Sequence, residues 1–205
     1  DFGAVGNGTV DDAIAIQKAV DACSHDGGGN VIFSSDHTFL SGPVELKSNV
    51  HIILETNATW KANPDERIYH KSAFGKNEGL WSMSGAELFD SYELKPVTTF
   101  DPRPHVLTLM GVKNLHVRDI TIREGAYWTV HLIGCDGAVI DGINLLNNLK
   151  IRNGDGIDID HSKNVRIANC HITSGDDAIC LKNRREFEEY GSCHDIVVTN
   201  CVMES

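Results

Sequence analysis

The amino-acid sequence predicts an all-β fold, a parallel β-helix with a capping helix at its N-terminus, on the strength of two repeating patterns. A nonamer recurs as NLHVRDITI from Asn114, GAVIDGINL from Gly137, NVRIANCHI from Asn164 and DIVVTNCVM from Asp195. Its second, fourth, seventh and ninth residues are mainly apolar, as in Val165, Ile167, Cys170 and Ile172. Period-two alternation marks a strand, and the skipped beat marks a bend that turns a second short strand onto a new face. The bend residue is Asp119, Gly142, Asn169 or Asn200, types that tolerate left-handed backbone angles. A second series precedes each nonamer: VLTLMGV from Val106, TVHLIGC from Thr129, GIDIDHS from Gly156 and DAICLKN from Asp177. Three strands per coil with no helix between them describe a parallel β-helix. The nonamers start 23, 27 and 31 residues apart, as coils do when their loops lengthen. A β-sandwich would not place the bend residue at the same point of successive units.

In chain order, Asp11 and Asp12 precede Ala13, Ile14, Ile16, Gln17, Ala19, Val20 and Cys23, which predicts a helix with acidic residues at its positive end and one apolar face. It is expected to close the open end of the first coil, because terminal repeats need a cap. After Gly27-Gly28-Gly29, the segments VIF, HTFL, VEL and VHIIL read as strands of the same solenoid. Residues 62–105 show little periodicity and read as a long insertion beside the coils. The whole of 1–205 is expected to form a single β-helix domain.

Eighteen Lys and Arg against 29 Asp and Glu leave a net charge of −11, which argues against a general electrostatic grip on nucleic acid or an anionic membrane. No apolar run approaches the roughly 18 residues of a spanning helix. The six cysteines lack the C-x-x-C pairs of a zinc site and read mostly as small core residues. Cys170 and Cys201 share a slot in adjacent coils, where a disulfide would fit and stacked thiols are the plainer account.

Two acidic clusters stand before successive strands: Asn153-Gly154-Asp155-Gly156 and Ser174-Gly175-Asp176-Asp177. Aligning GIDID with DAICL puts Asp155 in register with Asp177 one coil away. Strands about 4.8 Å apart would then gather Asp155, Asp176 and Asp177 within the width of a sugar ring. Like charges at that range push at least one carboxyl pKa upward, leaving a protonated acid beside ionised carboxylates. An acid that protonates a leaving oxygen and a carboxylate that activates water on the opposite face are the parts of glycoside hydrolysis. Asp and Gly also fill ordinary turns, but two such turns in register on successive coils point to function. Asp155, Asp158 and Asp160 are close enough in sequence to suggest calcium. They do not follow the D-x-[DN]-x-[DN]-G loop, however, and alternation turns Asp158 and Asp160 outward.

With these residues in place, the chain resembles the polygalacturonase family of glycoside hydrolases, family 28. The resemblance rests on the opening DFGAVGNGTVDDAIAIQKAV, the run GPVELKSNVHIILETNATWKA, the Asn-x-Asp ending at Asp155 and the Gly-Asp-Asp ending at Asp177, and it spans essentially the whole chain. It implies a right-handed parallel β-helix and an inverting hydrolase of galacturonate-containing pectic polysaccharide. It also implies no organic cofactor, no required metal, a monomer, and a secreted or periplasmic setting. Position by position it implies Asp176 as the general acid, Asp155 and Asp177 as the pair that orients and activates water, and Asn153 as a supporting polar group. Gly154 stands where many relatives carry a bulkier residue, which predicts looser positioning of Asp155. A His-bearing motif and an Arg-x-Lys pair expected on later coils fall beyond Ser205, so the chain reads as truncated at its C-terminal end. A rhamnogalacturonan hydrolase of the same family and a non-catalytic polysaccharide-binding β-helix module are the alternatives.

Two further residues are expected at the substrate. Lys182 points outward on the strand that starts with Asp177 and is suited to a galacturonate carboxylate, while the other nearby bases, Arg184, Arg185, Lys150 and Arg152, read as solvated surface. His131 faces outward one coil earlier, after Tyr127 and Trp128, whose rings are of the kind that packs against sugars.

Overall fold

The computed structural model describes residues 2–65, 68 and 104–205, so the expected insertion over 62–105 lies almost wholly outside the described residues. The chain forms two compact units, Asp1–His70 and Lys71–Ser205.

In the first unit, strands β1 (Asn7–Asp11), β3 (Thr38–Ser41) and β5 (Thr59–Ala62) form one parallel sheet, and β2 (Gly29–Phe33) pairs in parallel with β4 (Val50–Leu54). Helix α1 (Ala13–His25) packs against β2 and β4. Its start is set by Asp11, whose Oδ1 accepts the Ala13 N–H at 2.8 Å. Asp12 turns the other way and accepts the Val5 and Gly6 amides at 2.7 and 3.0 Å, tying the chain entrance to the helix. The buried face carries Ala15, Ile16 and Val20, whereas Ile14, expected on that face, is exposed. Phe33 joins them to the sheets: its ring meets Phe39 edge-on at 5.0 Å and Trp60 at 4.8 Å, contacts worth about 0.5–1.5 kcal/mol each beyond area burial. The VEL segment at 44–46 is not a strand. Its backbone is satisfied instead by the Gln17 side chain, which accepts the Glu45 N–H at 2.8 Å and donates to the Glu45 carbonyl at 3.1 Å.

The second unit is a parallel β-solenoid in which four coils each contribute one strand to each of three four-stranded sheets. The first sheet holds β6 (Leu107–Met110), β9 (Val130–Ile133), β12 (Ile157–Asp160) and β15 (Ile179–Lys182). The second holds β7 (His116–Arg118), β10 (Val139–Asp141), β13 (Lys163–Ala168) and β16 (His194–Thr199). The third holds β8 (Thr121–Arg123), β11 (Asn144–Leu146), β14 (His171–Thr173) and β17 (Val202–Glu204). Inward residues stack like on like, with Leu132 on Ile159, Ile140 on Ile167 and Leu145 on Ile172, all fully buried. Removing such a side chain from water contributes about 1.5–3 kcal/mol. In the last coil the same inward slots hold Leu181, Val198 and Met203, which are exposed.

The bend residues behave as their types require. Asp119, Gly142, Asn169 and Asn200 have φ of 56°, 64°, 56° and 50°. Their side chains also bond along the stack: Asn200 Nδ2 donates to Asn169 Oδ1 at 2.6 Å, and Asn169 Nδ2 donates to Asp141 Oδ1 at 2.7 Å. All six cysteines are free thiols. No helix among the described residues is long and apolar enough to cross a membrane.

Candidate active site

The candidate residues converge on the outer face of the first sheet, because alternation sends Ile157 and Ile159 into the core and Asp158 and Asp160 to the other side. Outward does not mean solvated here. Beyond β15 the chain folds back across this face through a 3-10 segment, Arg185–Tyr190. The Phe187 ring approaches His131 at 6.3 Å, and the Arg184 amide donates to Asp160 Oδ1 at 3.1 Å. Asp158, Asp160 and His131 are consequently fully buried. His131 Nε2 lies 3.3 Å from Asp160 Oδ2. Burial would raise Asp160, but the bonds from His131 and the Arg184 amide hold its pKa below the ordinary carboxylate value. His131, expected at the substrate, thus faces outward as alternation gave and lies buried beneath the returning segment.

The two acidic motifs are clasped together by backbone. The Gly156 N–H donates to the Asp177 carbonyl at 2.9 Å and Ile157 pairs with Ile179, so Asp155 and Asp177 hold equivalent positions on adjacent coils. Asn153 adopts φ of 53° and its main-chain N–H donates to Asp176 Oδ2 at 3.3 Å, so its support runs through the backbone. Asp176 Oδ1 accepts the Asp177 amide at 3.1 Å, and the buried Ser174 hydroxyl donates to the Asp176 carbonyl at 2.7 Å. Asp176 and Asp177 remain exposed. Gly175 fits where any side chain would press against the Ile151 and Asn148 carbonyl oxygens.

Asp155 differs from its neighbours in being buried, its side chain only 3% exposed. Its Oδ2 accepts from Lys182 Nζ at 3.1 Å. The same ammonium is 3.0 Å from Asp158 Oδ1 and sits 4.2 Å over the Trp128 ring. Burial raises Asp155 above its ordinary pKa against the pull of Lys182, and Asp176 is near enough to add to the rise. Asp158 is pushed up to about 8 by burial and by Asp155. Burial works against the Lys182 charge, but Asp158 and Asp155 together hold its pKa above the ordinary lysine value.

These contacts bear on what the sequence leads one to expect at Lys182, Asp155 and the neighbouring acidic residues. Lys182 points outward as alternation requires, and its ammonium pairs with both Asp155 and Asp158. Asp155 is tightly placed, not loose: a Cβ at Gly154 would lie 3.0 Å from the Ile151 carbonyl oxygen, so the glycine allows close packing. The position a calcium ion would take between Asp155 and Asp158 is held by the Lys182 ammonium. Sequence reasoning passed over Asp158. The available signal was its outward placement beside the rung of Lys182, opposite charges on one face.

Known proteins resemble this chain along most of its length. A family model described as glycosyl hydrolases family 28 matches residues 29–204. A probable polygalacturonase of Vitis vinifera is 26% identical over 99% of this chain and 47% of its own length. An exopolygalacturonase of Cochliobolus carbonum is 26% identical over 87% of this chain and 44% of its own. The hyperthermoactive exopolygalacturonase from Thermotoga maritima shares the fold, with a TM-score of 0.81 at 22% identity over 99% of this chain and 58% of that one. The chain spans about half the length of the curated relatives it matches.

Proposed function

Because the chain belongs to glycosyl hydrolase family 28, we propose that it supplies the acid and base groups of a polygalacturonase-like enzyme that cleaves galacturonate-containing pectic polysaccharide with inversion. The observation that carries the reading is the clasp of the two acidic motifs, with exposed Asp176 and Asp177 beside buried Asp155. Asp176 gives a proton to the glycosidic oxygen as the bond to the anomeric carbon breaks. Asp155 and Asp177 orient a water and take its proton as its oxygen attacks from the opposite face. Burial suits Asp155 to the base role, since a raised pKa makes it the better proton acceptor. The polymer is met outside the cytoplasm, so a secreted or periplasmic setting belongs to the same proposal. The engagement of Lys182 favours one second reading, a rhamnogalacturonan hydrolase, whose neutral rhamnose needs no cation.

The test is reducing-end release from polygalacturonate by the full-length protein and by Asp176→Asn. The variant is expected to lose about a hundredfold or more in kcat, and the product is expected to show no ultraviolet absorbance of an unsaturated sugar. Equal rates for the two proteins would favour a binding module, absorbing product a lyase, and activity confined to rhamnogalacturonan the second reading.

A further inference from the structure

Asp155, Asp158 and Lys182 form a buried cluster whose charges do not balance if both carboxyls are ionised. Two carboxylates and one ammonium leave a net negative charge away from water, an arrangement that proteins avoid by neutralising one member. Hydrogen bonding leads to the same conclusion. Asp155 Oδ1 and both Asp158 oxygens have no hydrogen-bond donor among the described residues, although Asp158 Oδ1 is within ion-pair distance of Lys182. Ionised carboxylates only accept, so two facing carboxylates cannot satisfy each other, whereas a single proton between them makes one a donor. The two carboxyls share one ammonium, with Lys182 Nζ 3.1 Å from Asp155 Oδ2 and 3.0 Å from Asp158 Oδ1. The remaining titratable neighbours do not compete for this proton. His131, in register on β9, is paired with Asp160; Cys180, on β15, faces Asp177; and Asp176 lies beyond Asp155.

The geometry points to Asp158 as a neutral, proton-bearing positioning residue that donates a hydrogen bond to the Asp155 carboxylate while Lys182 clamps both. The inference rests on the reading of Asp155 as the base that activates water. Asp158 keeps its proton throughout turnover, and its role is to hold Asp155 ionised and aimed. Burial and Asp155 both raise the proton affinity of Asp158, in keeping with this role.

The test compares pH profiles of kcat and KM on polygalacturonate for the full-length protein and for Asp158→Asn, Asp158→Leu and Lys182→Met. Asp158→Leu and Lys182→Met remove a partner of the Asp155 carboxylate, so the acid limb of kcat is expected to move up by about one pH unit or more. KM is expected to change by less than about threefold. Asp158→Asn keeps a donor at the same place, and its limb is expected to stay with the wild type. A Leu variant that titrates like wild type, or an Asn variant that behaves like the Leu variant, overturns the assignment. Infrared spectroscopy provides a readout independent of turnover. A protonated carboxyl band that Asp158→Asn removes and Asp176→Asn leaves in place is expected at about pH 7 and is expected to fade towards about pH 9, and its absence at the lower pH overturns the proposal. Full activity in Asp155→Asn would instead overturn the reading of Asp155, and the infrared band would still decide the state of Asp158.

Discussion

Asp158 and His105 bear opposite costs of protonation in the second unit. Burial and then Asp155 raise Asp158 to about 8, while burial, then His131 and Arg184, lower His105 to about 3. Unfolded, an aspartate titrates at about 3.9 and a histidine at about 6.5. Folding therefore binds a proton at Asp158 over the interval up to about 8, and the stability this brings is complete below the unfolded pKa and lost as pH rises through the folded one. At His105 folding releases a proton over the interval from about 3, and the stability is complete above the unfolded pKa and lost as pH falls. One proton corresponds to at most about 1.4 kcal/mol per pH unit, so the two slopes oppose each other between about pH 4 and 6.5. Above that window the slope of His105 is gone and that of Asp158 remains. The melting temperature is expected to be nearly level over the lower interval and to fall from about pH 6.5 to 8, with Asp158→Asn flattening the fall. A wild-type melting temperature that climbs over the upper interval would contradict the assignment of a proton to Asp158.

At the scale of the element, the solenoid was legible wherever local chemistry alone decides the backbone. Asn169 must occupy a left-handed bend, and only a few residue types do so cheaply, so the bend could be read from residue type and repeat. Asn169→Ala is expected to destabilise by about 1–2 kcal/mol through backbone strain, with a further cost from the lost bonds to Asn200 and Asp141. Asn169→Gly keeps the backbone and loses only the bonds. Urea unfolding checks the order, and an alanine variant as stable as the glycine variant would show that the bend is not under that constraint. The first unit was less legible because its strands are fixed by partners remote in sequence. VEL has the composition of a strand, but Gln17, 28 residues from Glu45, takes its backbone bonds. Strands β1 and β5, which flank β3, have no apolar alternation strong enough to announce them.

For the molecule as a whole, the register of the candidate aspartates was legible and their surroundings were not. Parallel register follows from the repeat, so the equivalence of Asp155 and Asp177 could be read directly. Alternation separates inside from outside and is silent on what covers the outside, so the segment through Phe187 that buries His131 and Asp160 was not foreseen. The same limit hid the fate of Lys182, whose partner Asp158 lies on a neighbouring strand of the stack. In the proposed mechanism Asp155 and Asp176, joined through the Asn153 main-chain N–H, serve one glycosidic bond as a unit. The most direct measurement is kcat on polygalacturonate for full-length Asp155→Asn, Asp176→Asn and the double variant. Each single change is expected to cost about a hundredfold to ten-thousandfold, and the double variant no more than the worse single, because a device lacking one part is already disabled. A single variant at the wild-type rate, or losses that multiply in the double variant, would contradict it.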